Sequence, residues 1–405
     1  MDRTPFYLTN VTAITPERTI NDAAIEVNGG KIAGIFSSRE VKGHDRERTI
    51  DCKGFLATPG FIDIHVHGGG GSDLMDGNVD AIINMSKAHA RHGTTTIVPS
   101  TLTSSMEDLF KTLDDMKEAR KLVPGVDYAG ARIAGIHLEG PYFSPAMCGA
   151  QDPRYIKNPE PAEYTRILDY SNDIIRVSAA PELPGALELG RELKKRGILA
   201  SMGHSDALFD IIPEAVEAGY SHVTHLYSAM STVRRIQAFR HAGLVEAGLL
   251  LDELTVEIIA DGKHLPAALL KLIYKCKGPD KIALVTDAMR AAGMPEGKYI
   301  LGGLRDGQEV IVEDGVAKLL DRSAFAGSVA TTNRLVRTMV TLAEVSLRDA
   351  IKMATTTPAS IIGISRNKGR LYPGMDADIV VFDHDINVLL TMVEGRVVYR
   401  DEKLS

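Results

Sequence analysis

The sequence contains no tryptophan and only three cysteines among its 405 residues. Cys52, Cys148 and Cys276 lie far apart and form no closely spaced pair of the kind that binds structural zinc. An odd number of dispersed cysteines favours a reducing compartment over a disulfide-bonded, secreted protein. The first ten residues, MDRTPFYLTN, lack the apolar segment of a signal peptide. We therefore expect a cytoplasmic protein.

Long apolar runs and several common motifs are also missing. No stretch approaches the roughly 18 consecutive apolar residues of a transmembrane helix. The net charge of -7 gives no reason to expect binding to nucleic acid or to an anionic membrane. Neither a glycine-rich P-loop nor a G-x-S-x-G nucleophile motif occurs. These absences argue against membrane insertion, nucleic-acid binding, phosphate binding by a P-loop and catalysis through a covalent serine intermediate.

One unit repeats eight times between Gly60 and Met289: a short, β-rich apolar run followed by a helical pattern. The runs lie at 61–67, 94–100, 132–140, 173–182, 198–205, 222–230, 254–264 and 281–289. Alternating strands and helices imply parallel strands, and eight such units predict a (β/α)₈ barrel of the TIM type. An open, doubly wound sheet is the alternative, but no G-x-G-x-x-G motif follows the first strand.

The two ends of the chain show a different pattern, with short strands separated by turns. Residues 23–36 predict a hairpin around Asn28-Gly29, and 376–383 and 388–400 are further strands. We therefore predict a small β-sandwich domain formed by 1–58 plus 366–405, and a catalytic barrel at 59–365. A β-ribbon is predicted at 298–320, after the eighth barrel strand.

Side chains that bind metals cluster at the carboxyl ends of the predicted barrel strands, where such barrels carry their active sites. They are His65 and His67 on strand one, Glu139 on strand three, His204 on strand five, His225 on strand six and Asp287 on strand eight. One histidine at a strand end is more often part of the scaffold, but six such residues at one end predict a site for a divalent metal. Zinc is the first expectation, with iron, manganese or cobalt as alternatives, at one or two ions per chain.

Such a site suggests hydrolysis of an amide. A divalent metal with an open coordination position polarises a carbonyl group and lowers the pKa of bound water to about 7. A neighbouring carboxylate, Asp287, can take the proton of that water and pass it to a leaving nitrogen. The predicted reaction is therefore metal-dependent hydrolysis of a C–N bond.

Seven motifs resemble those of the amidohydrolase superfamily and, within it, the N-acetylglucosamine-6-phosphate deacetylase family. They are PGFIDIHVHG, HLEGPYFSP, MGHSDA, THLYSAM, IADGKH, VTDAM and FAGS, and PGMDADIVVFD extends the resemblance into the C-terminal strands. Many superfamily relatives use a carboxylated lysine from strand four. Strand four has no lysine here, and Glu139 takes that place, as in the deacetylases.

The resemblance implies a role for each of the six residues at the strand ends. Glu139, His204 and His225 would be the principal metal ligands, and His65 and His67 would hold a second ion that Glu139 bridges. Asp287 would act as general base and then as general acid. The remaining implied contacts, to the sugar, are His264 and the backbone at Ala229.

Three departures from the family pattern concern substrate binding. Gln151 stands where the family has a histidine that polarises the acetyl carbonyl, and Ser228 replaces a phosphate-binding asparagine. The usual phosphate-binding stretch reads VRRIQAFRHAG, which offers Arg234, Arg235 and Arg240; we take Arg235 as the candidate.

The predicted function is deacetylation of N-acetylglucosamine 6-phosphate, an amino sugar phosphate, by a homodimer. The alternatives are another N-acyl substrate, such as N-acetylgalactosamine 6-phosphate or an N-acyl amino acid, and a barrel without catalytic activity. A barrel that has lost its activity should also have lost metal ligands, and this sequence keeps them.

Overall fold

The structure is a computed structural model, and it describes residues 5–15, 17–41, 48–123, 125 and 128–404. Five strands come first: β1 (Phe6–Ile14), β2 (Thr19–Asn28), β3 (Lys31–Ser37), β4 (Thr49–Asp51) and β5 (Leu56–Pro59). β2 and β3 form the antiparallel hairpin expected at Asn28-Gly29. Gly29 and Gly30 supply its turn with positive φ angles of 56° and 81°, which glycine adopts without steric cost.

The next part of the chain alternates strands with helices. Its strands are β6 (Phe61–Val66), β7 (Gly68–Gly69), β8 (Ser72–Asp73), β9 (Thr94–Pro99), β10 (Arg132–Ile133), β11 (Ile136–Glu139), β12 (Ile174–Ala179), β13 (Leu199–Met202), β14 (Tyr220–Val223), β15 (Arg234–Ile236), β16 (Phe239–His241), β17 (Thr255–Ile258) and β18 (Ile282–Leu284). Its helices are α1 (Val79–Ala90), α2 (Met106–Leu122), α3 (Pro161–Tyr170), α4 (Ala186–Arg196), α5 (Ile212–Ala218), α6 (Leu244–Leu250) and α7 (Ala267–Lys277).

The parallel strands of this part close into a barrel. One parallel sheet has the order β10-β9-β6, and the other has the order β11-β12-β13-β14-β17-β18. Parallel bridges between Ser100 and His137 and between Val66 and Ala288 join the two sheets at both edges. The third predicted strand is split, because β10 pairs with β9 whereas β11 pairs with β12, so the chain changes partner at residues 134–135.

Beyond the eighth barrel strand the chain forms a small antiparallel sheet and three helices. The sheet contains β19 (Gly297–Leu301), β20 (Gln308–Glu313) and β21 (Val316–Leu319). It begins one residue before the segment 298–320 that was predicted as a β-ribbon and ends one residue before that segment does. The helices are α8 (Thr332–Thr341), α9 (Leu347–Ala354) and α10 (Thr356–Ile361). Met289, Val310 and Val312 belong to an apolar cluster that packs the small sheet against the loop after the barrel.

Strands from the two ends of the chain share one sheet. The last three strands are β22 (Ile379–Phe382), β23 (Val388–Val393) and β24 (Arg396–Arg400). The strand order is β24-β23-β22-β5-β1-β2-β3, with β4 paired to β1. Because β22 pairs with β5, the C-terminal strands complete a sheet that the N-terminal strands begin. The fold is thus a (β/α)₈ barrel with a small β domain built from both termini.

A half-buried lysine contacts carboxylates of the β domain near the barrel. Lys368 Nζ lies 2.7 Å from Asp378 Oδ2, 3.1 Å from Asp376 Oδ2 and 3.3 Å from Glu394 Oε1. Arg132 of barrel strand β10 pairs with the same Glu394 at 3.0 Å. Burial lowers the pKa of Lys368, but these three carboxylates outweigh it and raise that pKa above its usual value. The cluster therefore ties the barrel to the β domain through charges that are largely removed from water.

Within the described ranges, no helix has the length and apolar character needed to cross a membrane.

Candidate active site

A first group of three metal-binding side chains meets at the carboxyl ends of the barrel strands. Glu139 is the last residue of β11, and His204 and His225 lie in the loops that follow β13 and β14. Glu139 Oε1 lies 3.2 Å from His204 Nε2 and 3.0 Å from His225 Nε2. The two ring nitrogens are only 3.1 Å apart. Two nitrogens and one carboxylate oxygen at these distances form a set of donors that can share one cation.

A second group uses the same glutamate. His65 lies on β6 and His67 directly follows it, and their Nε2 atoms are 3.3 Å from Glu139 Oε1 and Oε2 respectively. His65 Nε2 is buried and makes no hydrogen bond, although Glu139 is within ion-pair distance. A buried polar atom without a partner is rare. A metal ion would satisfy it, and His65, His67 and Glu139 fit one.

Hydrogen bonds at the far side of three imidazole rings orient them toward this centre. His67 Nδ1 donates to the backbone oxygen of Ser100 at 3.0 Å, and His204 Nδ1 donates to that of Met147 at 2.9 Å. His65 Nδ1 donates to the Glu257 carboxylate at 2.6 Å. A proton on Nδ1 leaves the Nε2 lone pair free on the side that faces Glu139. The donor set, imidazole nitrogens with one carboxylate, suits a divalent transition metal.

The charges of the site favour a cation. Burial raises the pKa of Glu139, but His65, His204 and His225 more than compensate and hold it well below its usual value. Burial lowers the pKa of His67, yet contacts with Asp287 and Glu139 raise it well above its usual value. The same negative potential that would hold protons on these rings attracts a divalent ion in their place.

Asp287 lies beside both groups. It follows β18, and its Oδ1 is 3.0 Å from His67 Nε2 and 3.7 Å from His65 Nε2. Its backbone N–H donates to His65 O at 2.9 Å. Asp287, His204 and His225 all have left-handed backbone conformations, with φ of 46°, 47° and 28°. Such conformations cost energy in residues other than glycine and are found mainly where function requires them.

A cavity of about 360 Å³ opens above these groups. Four of the predicted substrate-binding residues line it: Gln151, Ser228, Ala229 and His264. The Gln151 amide donates to Glu139 Oε2 at 2.7 Å and accepts the Thr103 backbone N–H at 2.8 Å. Gln151 thus puts a neutral donor directly onto a candidate metal ligand.

Arg235, the predicted phosphate contact, does not line this cavity. It lies on the hairpin of β15 and β16, where it is exposed and paired in register with Arg240. Arg234, on the same strand, instead forms an ion pair with Asp206. The sequence could not place these side chains, because the register and direction of a short surface hairpin depend on its packing.

Sequence analysis missed two buried residues beneath the centre, Arg176 on β12 and Glu257 on β17. Each is the one charged residue of a short strand that is otherwise uncharged, and that pattern was the available signal. A charged side chain is seldom fully buried without a partner.

The amidohydrolase family model matches residues 56–398, most of the chain. The chain belongs to the amidohydrolase family. Its motifs and its barrel therefore have a common origin with those of the enzymes they resemble.

This amidohydrolase is similar to two enzymes whose names differ in the sugar. It is 34% identical over 391 residues to the N-acetylglucosamine-6-phosphate deacetylase of Bacillus subtilis (strain 168), covering 96% of each chain. It is also 34% identical over 384 residues to the N-acetylgalactosamine-6-phosphate deacetylase of Escherichia coli O157:H7, covering 95% of this chain and 96% of that one.

A solved structure resembles the amidohydrolase over nearly its whole length. It is a mutant N-acetyl-D-glucosamine-6-phosphate deacetylase from Mycobacterium smegmatis in complex with N-acetyl-D-glucosamine-6-phosphate. The TM-score is 0.87 at 31% identity, and the match covers 98% of this chain and 99% of that chain.

Proposed function

We propose that this amidohydrolase is a metal-dependent deacetylase of N-acetylglucosamine 6-phosphate, acting in the cytoplasm and releasing acetate and glucosamine 6-phosphate. The observation that carries the proposal is Glu139 shared by two histidine groups, with the Asp287 carboxylate 3.0 Å from His67, beneath a cavity. The similar deacetylases support the choice of substrate class.

Five side chains would hold the metal. Glu139, His204 and His225 would bind the principal ion, and His65 and His67 would bind a second ion together with Glu139. A divalent ion bound here supplies Lewis-acid polarisation of the amide carbonyl and activation of water. We propose zinc, with iron, manganese or cobalt as alternatives, because imidazole and carboxylate ligands accept all four according to availability.

Asp287 would move the proton of the reaction. Its carboxylate accepts a proton from the attacking water and later donates that proton to the amide nitrogen as the C–N bond breaks. Its pKa favours the first role, since His65 and His67 outweigh the effect of burial and hold it below its usual value. Gln151 would donate to the substrate or to Glu139, and His264, held by Asp261 at 2.9 Å, would contact the sugar together with Ser228 and the backbone at Ala229.

The phosphate would be bound by an arginine of the β15–β16 hairpin, with Arg235 as the first candidate. Its side chain is exposed and does not reach the cavity of its own chain, so we propose that it serves the site of a second subunit in a homodimer. Val233 and Phe239, 53% and 73% exposed near the same hairpin, supply apolar surface that a second subunit would cover. Arg235→Ala should then raise KM with little change in kcat, and light scattering should report a dimer.

The functional test compares kcat/KM for N-acetylglucosamine with and without its 6-phosphate. We expect the phosphate to be preferred at least about tenfold, equivalent to about 1.4 kcal/mol. A weaker preference would contradict the assignment and favour an N-acyl deacylase of broader specificity. N-acetylgalactosamine 6-phosphate belongs in the same series, because the Escherichia coli relative carries that name at equal identity. Faster turnover of that sugar would make it the substrate.

A further inference from the structure

The barrel interior beneath the candidate active site contains a buried ion pair that contacts both histidine groups. Glu257 and Arg176 are each 0% exposed. Arg176 Nη1 lies 2.6 Å from Glu257 Oε2. Glu257 Oε1 accepts two further hydrogen bonds, one from His65 Nδ1 at 2.6 Å and one from the backbone N–H of His225 at 3.0 Å. One carboxylate thus holds a side chain of one group and the backbone of the other.

Arg176 is itself held by strands β6 and β13 and by the loop that follows β14. Its Nη1 also donates to Ile64 O at 3.1 Å, its Nε to Ser201 Oγ at 3.0 Å and its Nη2 to Thr224 Oγ1 at 3.0 Å. These partners lie on or directly after strands β6, β13 and β14, while Arg176 is on β12 and Glu257 is on β17. The guanidinium therefore ties the strands that carry His65, His204 and His225 to one fixed point.

The electrostatics of the pair keep the carboxylate charged. Arg176 Nη1, 2.6 Å from Glu257 Oε2, supplies the counter-charge that a buried carboxylate requires. A charged carboxylate that accepts the Nδ1 proton fixes that proton's position and makes the opposite nitrogen a better ligand. The Nδ1 atoms of His67 and His204 donate to backbone carbonyls instead. Among the described residues of the two groups, only His65 donates its Nδ1 proton to a carboxylate.

We infer that Glu257, anchored by Arg176, is a positioning residue that decides whether the His65, His67 and Glu139 group binds its metal ion. It acts on that group through the orientation of His65 Nε2, the buried nitrogen that makes no hydrogen bond. The contact with the His225 backbone links the same carboxylate to the principal group. The inference rests on the proposed metal-dependent function. It explains why a second ion would bind at His65, His67 and Glu139.

The test is a Co²⁺ titration of the metal-free full-length chain, followed by visible absorbance and by elemental analysis. The change is Glu257→Gln, which keeps the shape of the side chain. Both neighbours are hydrogen-bond donors, and a glutamine amide has only one oxygen that can accept. Its NH₂ group would therefore face either the Arg176 guanidinium or His65 Nδ1, and that contact would be lost. We expect two ions per wild-type chain, and in the variant a second ion bound about 10- to 100-fold more weakly, the usual cost of losing an outer-shell partner.

A matched control separates this effect from loss of stability. Asp378 is also a buried carboxylate paired with a cation, the half-buried Lys368 at 2.7 Å, but it lies in the β domain. Asp378→Asn should lower the free energy of unfolding and leave both Co²⁺ ions in place. If Glu257→Gln does not fold, the double variant Arg176→Met with Glu257→Met removes both charges at once, which proteins often tolerate. It should fold and bind the second ion weakly.

The outcomes distinguish the inference from the proposed function. Two ions of unchanged affinity in Glu257→Gln, or in the double variant, would overturn the inference alone. A wild type that binds a single ion at Glu139, His204 and His225 would also overturn it, while the proposed deacetylase needs only that ion. A wild type that binds no Co²⁺ at these residues would contradict the proposed function itself.

Discussion

Replacing Asp287 by asparagine tests the proposed proton transfer with little change in shape. Asp287 has a left-handed φ of 46°, a conformation that asparagine also tolerates. Its backbone bonds, from its N–H to His65 O at 2.9 Å and from Ser328 N–H to its own carbonyl at 2.7 Å, do not involve the side chain. Asp287 belongs to neither group of candidate metal ligands. The variant should therefore keep its fold and most of its metal.

The expected loss is in kcat. An amide cannot accept a proton from water at neutral pH, so the variant loses general base and general acid catalysis together. This contribution is typically about 10²- to 10⁴-fold. It corresponds to about 2.7–5.4 kcal/mol in the activation free energy. We expect kcat to fall at least about 10²-fold, with KM changed much less because substrate binding does not depend on the proton.

The assay follows acetate release, and elemental analysis of the same samples reports bound metal. Asp314→Asn is the matched control, since Asp314 also has a left-handed φ, 57°, and its side chain pairs with Lys318 in a surface turn. Its activity should equal that of the wild type. A near-normal kcat in Asp287→Asn would refute the proton-transfer role, and loss of metal in parallel with activity would show that Asp287 is a ligand instead.

Three further predictions concern metal binding, pH and stability. His204→Ala should lose bound metal and activity together, and full metal content with normal turnover would exclude His204 as a ligand. Burial lowers the pKa of His89 to about 4. Because an unfolded histidine titrates near 6.5, the unfolded state binds more protons below that pH, so acidification from pH 7 to 5 should cost about 2 kcal/mol of unfolding free energy. His89→Gln, compared with the wild type by urea unfolding at both pH values, should lose about 2 kcal/mol less on acidification; an equal loss in both proteins would contradict a lowered pKa of His89. Lys368→Met should lower the free energy of unfolding by about 3 kcal/mol or more, because it leaves the Asp378 carboxylate buried without its cation. The exposed ion pair of Lys271 with Glu344 provides the control. Lys271→Met should lower the free energy of unfolding by less than about 1 kcal/mol, and equal losses in the two variants would refute the argument.

Much of the fold was predictable because its signals are local. Each barrel strand is a short apolar run, and the period of the helical patterns between the runs implies parallel strands, so eight units predicted the barrel. The third strand shows the limit of this reasoning. Residues 132–140 form one run in sequence, but β10 and β11 pair with different neighbours, and this change of partner depends on closure of the barrel.

The candidate site likewise has a part that the sequence predicted and a part that it could not. His65 and His67 are two residues apart on and after a strand, so the sequence alone indicated that they project to one side. The contact of Arg176 with Glu257 joins residues 81 positions apart, and neither residue type signals a partner by itself. Arg235 had the right chemistry for a phosphate, yet its hairpin directs it to the surface and not to the cavity of its own chain.

The sequence by itself therefore determined the barrel, the strand ends that carry the candidate metal ligands and the class of chemistry. These depend on residue type and on spacing along a single strand, which the covalent chain sets directly. Only the tertiary structure decided that Gln151 donates to Glu139 and that Glu257 with Arg176 lies beneath the two histidine groups. Those facts are distances between different strands, and they are fixed only when the barrel closes and excludes water from its interior.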